Sequence, residues 1–274
     1  MNIEAYTINE FQLKNRFIGD DAAVIGQLLY SQDAFFENIH FKRSWMSLFQ
    51  IAQKAMLINI SDAIVMNAVP KYALLTVAIP KSFNKIELEE LANGFLSVAK
   101  EYNIDIIGGD TISNIKLDIS ITIISKVKKP IFRKGLKENN LLAFTGNLGN
   151  SKRDLNRLLR DSKINRNSKF IKPKLNSKFF YEIAPFINIA LDISDGLYFE
   201  LERVSKANKL TFKFFKNFTK NIACSGEEYE ILFGFDKKNL TKIESIAKKY
   251  KINLNIFAKA IKGKYHNKCK AHHF

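Results

Sequence analysis

Carboxylates gather at five turn-like places in this chain: Gly19-Asp20-Asp21, Asn59-Ile60-Ser61-Asp62, Gly108-Gly109-Asp110-Thr111, Asp192-Ile193-Ser194-Asp195-Gly196 and Ser225-Gly226-Glu227-Glu228-Tyr229-Glu230. Each lies beside glycine or serine and next to an apolar run. Brought together by a fold, such groups repel one another unless cations sit between them. Hard cations such as Mg2+ take oxygen ligands and commonly hold substrate phosphates. A metal–nucleotide site is therefore the first reading of the set.

Every motif also has a plainer reading. Asp192 or Ser194 can cap the free N–H groups of a helix, while Asp192 and Asp195 can instead project together to one side of a turn. Gly108-Gly109 before Asp110 is a common turn signal. It can equally hold backbone N–H groups against phosphate oxygens, with Asp110 on the metal. Asp20-Asp21 can be a turn pair, although adjacent carboxylates before an apolar strand are costly without a counter-charge. Asp62 follows a long apolar helix, where a negative charge opposes the helix dipole. Glu227 to Glu230 can be a solvated edge, and His40, alone in an aromatic segment, reads as structural. No Walker-type loop, protein-kinase catalytic loop or paired Cys/His zinc spacing occurs.

The elements that must position these residues alternate. Ala22 to Ile25 reads as a short strand, Ser44 to Ile58 as a helix, and Tyr72 to Ile79 as an apolar strand. Asn84 to Tyr102 is the clearest helix: Leu88, Leu91, Phe95, Val98 and Tyr102 recur at spacings of three and four, and Asn84 with Glu87 can form a capping-box-like start. Ile104 to Ile107 reads as a short buried strand ending at Gly108-Gly109. Lys116 to Ile124 alternates, with Leu117, Ile119, Ile121 and Ile123 on one face. Lys128-Lys129-Pro130 is a plausible junction between domains. Beyond it, strands are expected at Leu141 to Thr145, Ile189 to Leu191, Leu210 to Phe215, Ile231 to Phe235 and Leu254 to Ala258. Helices are expected at Ser151 to Leu159, after Gly196, and at Leu240 to Tyr250, with a long surface loop from Asp161 to Lys178. Strands and helices mixed in both halves argue for two α/β or α+β domains.

The chain has 274 residues, 46% of them apolar, enough for a sizeable core. No apolar run reaches membrane-spanning length, and the N-terminus lacks a basic-then-apolar pattern. With only Cys224 and Cys269, no disulfide framework is suggested. A cytoplasmic protein is expected. The net charge of +16 invites a polyanion partner. Yet lysines are scattered everywhere, and the densest basic stretch, Ser151 to Lys178, lacks the interleaved aromatics of a stacking platform. Compositional drift, with a mild preference for phosphorylated ligands, is favoured over a dedicated nucleic-acid surface.

Order and spacing carry more than any single motif. Gly-Asp-Asp, then Ser31-x-Asp33 with His40 seven residues on, Asn-x-Ser-Asp, Gly-Gly-Asp-Thr, Asp-x-Ser-Asp-Gly and Ser-Gly-Glu-x-Tyr-Glu follow one another from Ile18 to Phe235. In this the chain resembles thiamine-monophosphate kinases, of the aminoimidazole-ribonucleotide synthetase-like superfamily, and the final His273-Phe274 fits the family ending. The resemblance implies an α/β (α+β), two-domain aminoimidazole-ribonucleotide synthetase-like fold with mixed sheets flanked by helices. Residues 1–129 would bind ATP and metal and dimerise; residues 130–274 would complete the active site. The implied reaction moves the γ-phosphoryl of ATP onto thiamine monophosphate in line, with Mg2+ as cofactor and a homodimer as the working unit. Asp21, Ser31, Gln32, Asp33, Asp62, Asp110, Asp192 and Asp195 match metal positions, with Asp62, Asp110 and Asp192 central to catalysis. Gly109, Asp110, Arg133 and Ser194 match nucleotide contacts, and His40 and Glu227 match contacts to the thiamine substrate.

The chain departs from the family pattern in places. Gln32 stands where threonine is usual, its amide oxygen offering a substitute. Lys152-Arg153-Asp154 replace small residues after Thr145-Gly146, and Ala271 replaces an aromatic cover for which Phe274 is the nearby substitute. Two rivals remain. One is another ATP-dependent synthetase of the superfamily, although a selenophosphate synthetase would need a reactive cysteine well before Cys224. The other is a non-catalytic basic RNA-binding protein, for which the Ser151 to Lys178 stretch speaks.

Overall fold

The computed structural model describes residues 3–12 and 17–269. In chain order it comprises α1 (Ile3–Gln12), β1 (Ala23–Ile25), β2 (Leu28–Phe36), α2 (Leu48–Val65), β3 (Ala68–Pro80), α3 (Lys85–Tyr102), β4 (Asp105–Asn114) and β5 (Asp118–Val127). There follow β6 (Leu141–Thr145), α4 (Asn150–Leu158), α5 (Ser177–Ile183), β7 (Ile189–Asp192), α6 (Leu197–Asn208), β8 (Leu210–Phe214), α7 (Lys220–Ala223), β9 (Ile231–Phe235), α8 (Leu240–Lys249) and β10 (Leu254–Lys262). Two five-stranded sheets result, ordered β1-β2-β5-β3-β4 and β7-β9-β6-β10-β8. The first is mixed, because the α3 crossover makes β3 and β4 parallel. The second is antiparallel throughout.

The first sheet lays one face on α2 and α3. Along β5, Ile119, Ile121 and Ile123 point into that core while Asp118, Ser120 and Thr122 face the other way, as the period of two requires. Helix α2 lies at the centre of the molecule. Its apolar residues share one core with strands of the first sheet and with Phe179, Phe180, Phe233 and Ile243 from the second half. Leu191, Leu197, Leu201 and Phe257 pack in a separate core.

The α3 capping box forms as expected: Asn84 accepts from the Glu87 N–H at 3.1 Å and Glu87 accepts from the Asn84 N–H at 2.9 Å. Helix α2 instead starts at Leu48, where Ser47 and Gln50 make a second capping box, and runs on to Val65. Strand β2 lies in a segment whose apolar and polar residues do not alternate cleanly, and pattern reading passed it over. The Gly108-Gly109 turn is not formed. β4 runs straight through it to Asn114 and is largely exposed, with a register irregularity opposite Ala73 and Leu74 absorbing the extra residue. Gly109 is required there, since a Cβ would lie 1.8 Å from the Leu75 carbonyl oxygen.

Cys224 and Cys269 form a disulfide, their Cα atoms 5.6 Å apart, although their number suggested no disulfide framework. It ties the chain's last described residue to the segment just before Ser225-Gly226-Glu227. Ala271, His273 and Phe274 lie outside the described residues. Among the described residues no helix is long and apolar enough to cross a membrane.

Candidate active site

Three of the five acidic motifs bring carboxylates close together, and Glu227 of a fourth lines the same cavity. Asp21 precedes β1, Asp62 lies in the last turn of α2 and Asp192 ends β7. Each offers a carboxylate oxygen within 4.8 Å of the others. Asp33, on the inner face of β2, belongs to the same charge cluster. Burial first, then Asp21 and Asp195, push its carboxyl up to about 6. Asp62 and Asp192 are pushed well above the usual carboxylate range, again by burial first and then by their acidic neighbours. The adjoining Asp20 is raised to about 6, chiefly by burial, although its Oδ1 accepts the Arg133 backbone N–H at 2.8 Å.

Seven acidic side chains and two arginines, Arg133 and Arg203, line this cavity of about 290 Å³. Arg133 binds Asp21 Oδ1. Arg203 reaches Asp195 Oδ2 at 2.6 Å and Glu200 at 2.8 Å. The surplus of negative charge remains, and Asp21 Oδ2 is buried with no hydrogen-bond partner among the described residues. An unpaired buried carboxylate oxygen in a crowd of like charges fits a divalent cation with oxygen ligands.

Helix capping does not explain the Asp192 motif. Helix α6 has Gly196 at its N-cap and no side-chain cap. Asp192 Oδ2 instead accepts from Ser61 Oγ at 2.6 Å. Nor is the Glu227–Glu230 segment a solvated edge. Glu228 and Glu230 are buried and share Lys169, at 3.0 and 2.6 Å. Glu228 Oε1 also accepts the Gly149 N–H at 2.7 Å at the start of α4. The basic 151–178 stretch thus turns part of itself inward: Phe170 and Ile171 are core residues, Lys169 neutralises two glutamates, and Asp154 accepts from Ser168 Oγ.

A second cavity, about 320 Å³, adjoins the first and shares His40, Ser194, Asp195 and Glu227 with it. Its other walls include Trp45, Leu155, Leu159 and Phe170. His40 Nδ1 accepts the Phe36 N–H at 3.0 Å, which leaves the proton of the neutral ring on Nε2. Glu227 is held in a left-handed turn, φ 54°, its N–H on the Ser194 carbonyl at 2.6 Å.

The remaining candidates lie elsewhere. Ser31 is buried and donates to the Asn59 carbonyl of α2 at 3.1 Å. Gln32 points to the opposite face of the sheet, beside Ser120 and Thr122. The register places Asp33, Ile121, Leu75 and Gly109 in one cross-strand row. Gly109 and its neighbour Asp110 are therefore three strand spacings, about 14 Å, from Asp33. Pattern reading also missed Lys54, Ser61, Arg203 and the buried Tyr229. Ser61 and Tyr229 each lie within an acidic motif, and a lysine amid the apolar residues of α2 is itself a signal.

Comparison with known proteins accords with this geometry. The family described as AIR synthase related protein, N-terminal domain, matches residues 19–127. Thiamine-monophosphate kinase of Buchnera aphidicola subsp. Schizaphis graminum is 30% identical over 284 residues, covering 88% of this chain and 87% of the relative. That of Bacillus subtilis is 32% identical over 210 residues, covering 70% of this chain and 64% of the relative. The solved structure of AaThiL complexed with AMPPCP and TMP superposes with a TM-score of 0.85 at 20% identity, covering 96% of this chain and 92% of that one, which establishes the fold as AIR synthase-like. The motifs, the fold and these relatives agree, and the chain belongs to the thiamine-monophosphate kinase family.

Proposed function

We propose that this protein transfers the γ-phosphoryl group of ATP to the phosphate of thiamine monophosphate, giving thiamine diphosphate and ADP, at the Asp21–Asp62–Asp192 cluster. The observation that carries the reading is the adjacency of the two cavities. A highly acidic one abuts one with aromatic and aliphatic walls, and His40, Ser194, Asp195 and Glu227 stand between them. Phosphates belong in the first with cations, and a heteroaromatic acceptor belongs in the second.

Donor and acceptor are both anions, and two unit charges 4 Å apart repel by about 4 kcal/mol at an effective dielectric near 20. Asp21, Asp33, Asp62 and Asp192 would hold Mg2+, which when bound neutralises the phosphates that meet there. The attacking phosphate oxygen has a second pKa near 6 and is largely ionised at neutral pH. No residue has to remove a proton. The upward shifts of Asp33, Asp62 and Asp192 come from burial first and from crowding by like charges second, and they do not mark a general base. The chain's own work is positioning. Ser61 orients Asp192, Arg133 orients Asp21, and His40 and Glu227 orient the acceptor for direct in-line transfer.

Gly109 and Asp110 serve this site across a homodimer. The outer face of the first sheet exposes Val69, Leu74, Ile107 and Ile112, with Gln32 on the same face and Asp110 on its edge strand. A second copy docked there brings Gly109 and Asp110 of one chain to the nucleotide at the cluster of the other. We place the reaction in the cytoplasm, with its nucleotide.

The test is turnover of ATP with thiamine monophosphate, with and without Mg2+, against unphosphorylated thiamine. Thiamine diphosphate and ADP are expected only with metal and only from the monophosphate. Inorganic phosphate as the main product would overturn the assignment in favour of a synthetase.

A further inference from the structure

Lys54 stands in the middle of α2 with its side chain wholly shut off from solvent. Its ammonium lies 3.9 Å from the ring centre of Phe170 and 5.5 Å from that of Phe35. It donates to Glu227 Oε2 at 3.0 Å. Burying an ammonium is costly even when it is paired, and a methionine would fill the same space at no such cost. The packing of α2 therefore gives no reason for a lysine at this position.

The ion pair has a reason on its other side. Glu227 keeps 27% of its side chain exposed and borders both cavities. Its backbone is docked on Ser194 from the second half of the chain, and its carboxylate is gripped from the first half by Lys54. With Oε2 committed to the lysine, a ligand in the cavity meets the carboxylate through Oε1. With an ammonium 3.0 Å away, the negative charge is largely cancelled.

Building on the reaction assigned above, we propose that Lys54 is a positioning residue that fixes the acceptor specificity of Glu227. It makes Glu227 a hydrogen-bond acceptor for an N–H group of the incoming molecule, not a counter-ion for its positively charged ring. In thiamine monophosphate that group is the exocyclic amine of the pyrimidine.

The experiment uses the full-length protein and three variants: Lys54→Met, Glu227→Gln and the double substitution. Each is assayed with thiamine monophosphate and with its analogue carrying an oxo group in place of the amine. For Lys54→Met the KM for thiamine monophosphate is expected to rise about tenfold or more, the loss of one charge-assisted hydrogen bond. The preference for amine over oxo should shrink by a similar factor. The KM for ATP should stay within about threefold and the Tm should not fall, because methionine packs where the ammonium was. The double variant should bind the acceptor no worse than Glu227→Gln alone, since Lys54 acts through Glu227.

An unchanged acceptor KM and amine preference in Lys54→Met overturns the proposal, as do effects that multiply in the double variant. Failure of Lys54→Met to fold overturns it too, since the ion pair would then belong to the core. If the unsubstituted protein does not turn over thiamine monophosphate, the assigned reaction falls and this proposal with it. If it does, and Lys54→Met is unaltered, this proposal alone falls.

Discussion

Ser61 Oγ donates to Asp192 Oδ2 at 2.6 Å, across 131 residues of chain. The two motifs that share Ile-Ser-Asp, one on α2 and one at the end of β7, therefore meet at the serine of the first and the leading aspartate of the second. The bond stabilises the ionised form of a carboxyl that burial otherwise drives toward protonation. Ser61→Ala should raise the Mg2+ concentration needed for half-maximal turnover by about tenfold, the typical worth of a hydrogen bond to a charged group. A Mg2+ titration of the rate that matches the parent protein would rule out this role.

Asp62→Asn and Asp110→Asn should each abolish turnover while the fold is retained. Near-normal rates in both would sink the metal assignment. Their mixture separates the two positions. If Asp110 serves the partner's cluster, chains carrying the two substitutions, unfolded and refolded together, form heterodimers with one intact site. Random pairing would then restore about a quarter of the original activity. No recovery would place Asp110 in the same chain's site, against the 14 Å separation of about three strand spacings.

The acidic cluster should make metal binding and pH interdependent. Asp20 and Asp33 rise from 3.8 to about 6 on folding, burial being the largest cause. Between those values the folded chain binds more protons than the unfolded one. The metal-free protein therefore loses stability as pH rises from about 4 to about 6, and the loss persists above. Mg2+ competes with those protons and should raise the Tm more at pH 7.5 than at pH 5. Equal shifts measured by thermal melting at the two pH values would contradict this.

The disulfide closes a loop between residues 224 and 269. Closing a loop of that length contributes about 2–4 kcal/mol by restricting the unfolded chain. Reductant, or Cys224→Ser, should lower the Tm by roughly 5–10 °C in a chain of this size. The doubly substituted Cys224→Ser/Cys269→Ser protein should no longer respond to reductant. A parent protein indifferent to reductant would show that the bond does not form in solution.

Much of this architecture was legible from pattern. The helix at Asn84 to Tyr102 announced itself by spacing and by its capping pair, and the alternation along Lys116 to Ile124 marked the buried face of β5. Those signals are local: a period and a cap depend on residues a few positions apart. Gly108-Gly109 was misread because a strand bulge and a turn share the same glycine signature. The partner strand that distinguishes them lies more than 30 residues away. The disulfide escaped for a like reason, since two cysteines 45 apart carry no pattern until the fold brings them within reach.

By itself, the sequence determined the order of the acidic motifs, the mixed α/β character and the family kinship, because each is written in neighbouring residues. Only the tertiary structure decided which carboxylates share a site. It gathers Asp21, Asp33, Asp62 and Asp192, turns Gln32 away and leaves Asp110 three strands distant. It also recruits Lys54, which no motif named, to the carboxylate of Glu227. The physical reason is that charge repulsion, desolvation and ion pairing depend on distances in space, and those distances are set by packing α2 between two sheets.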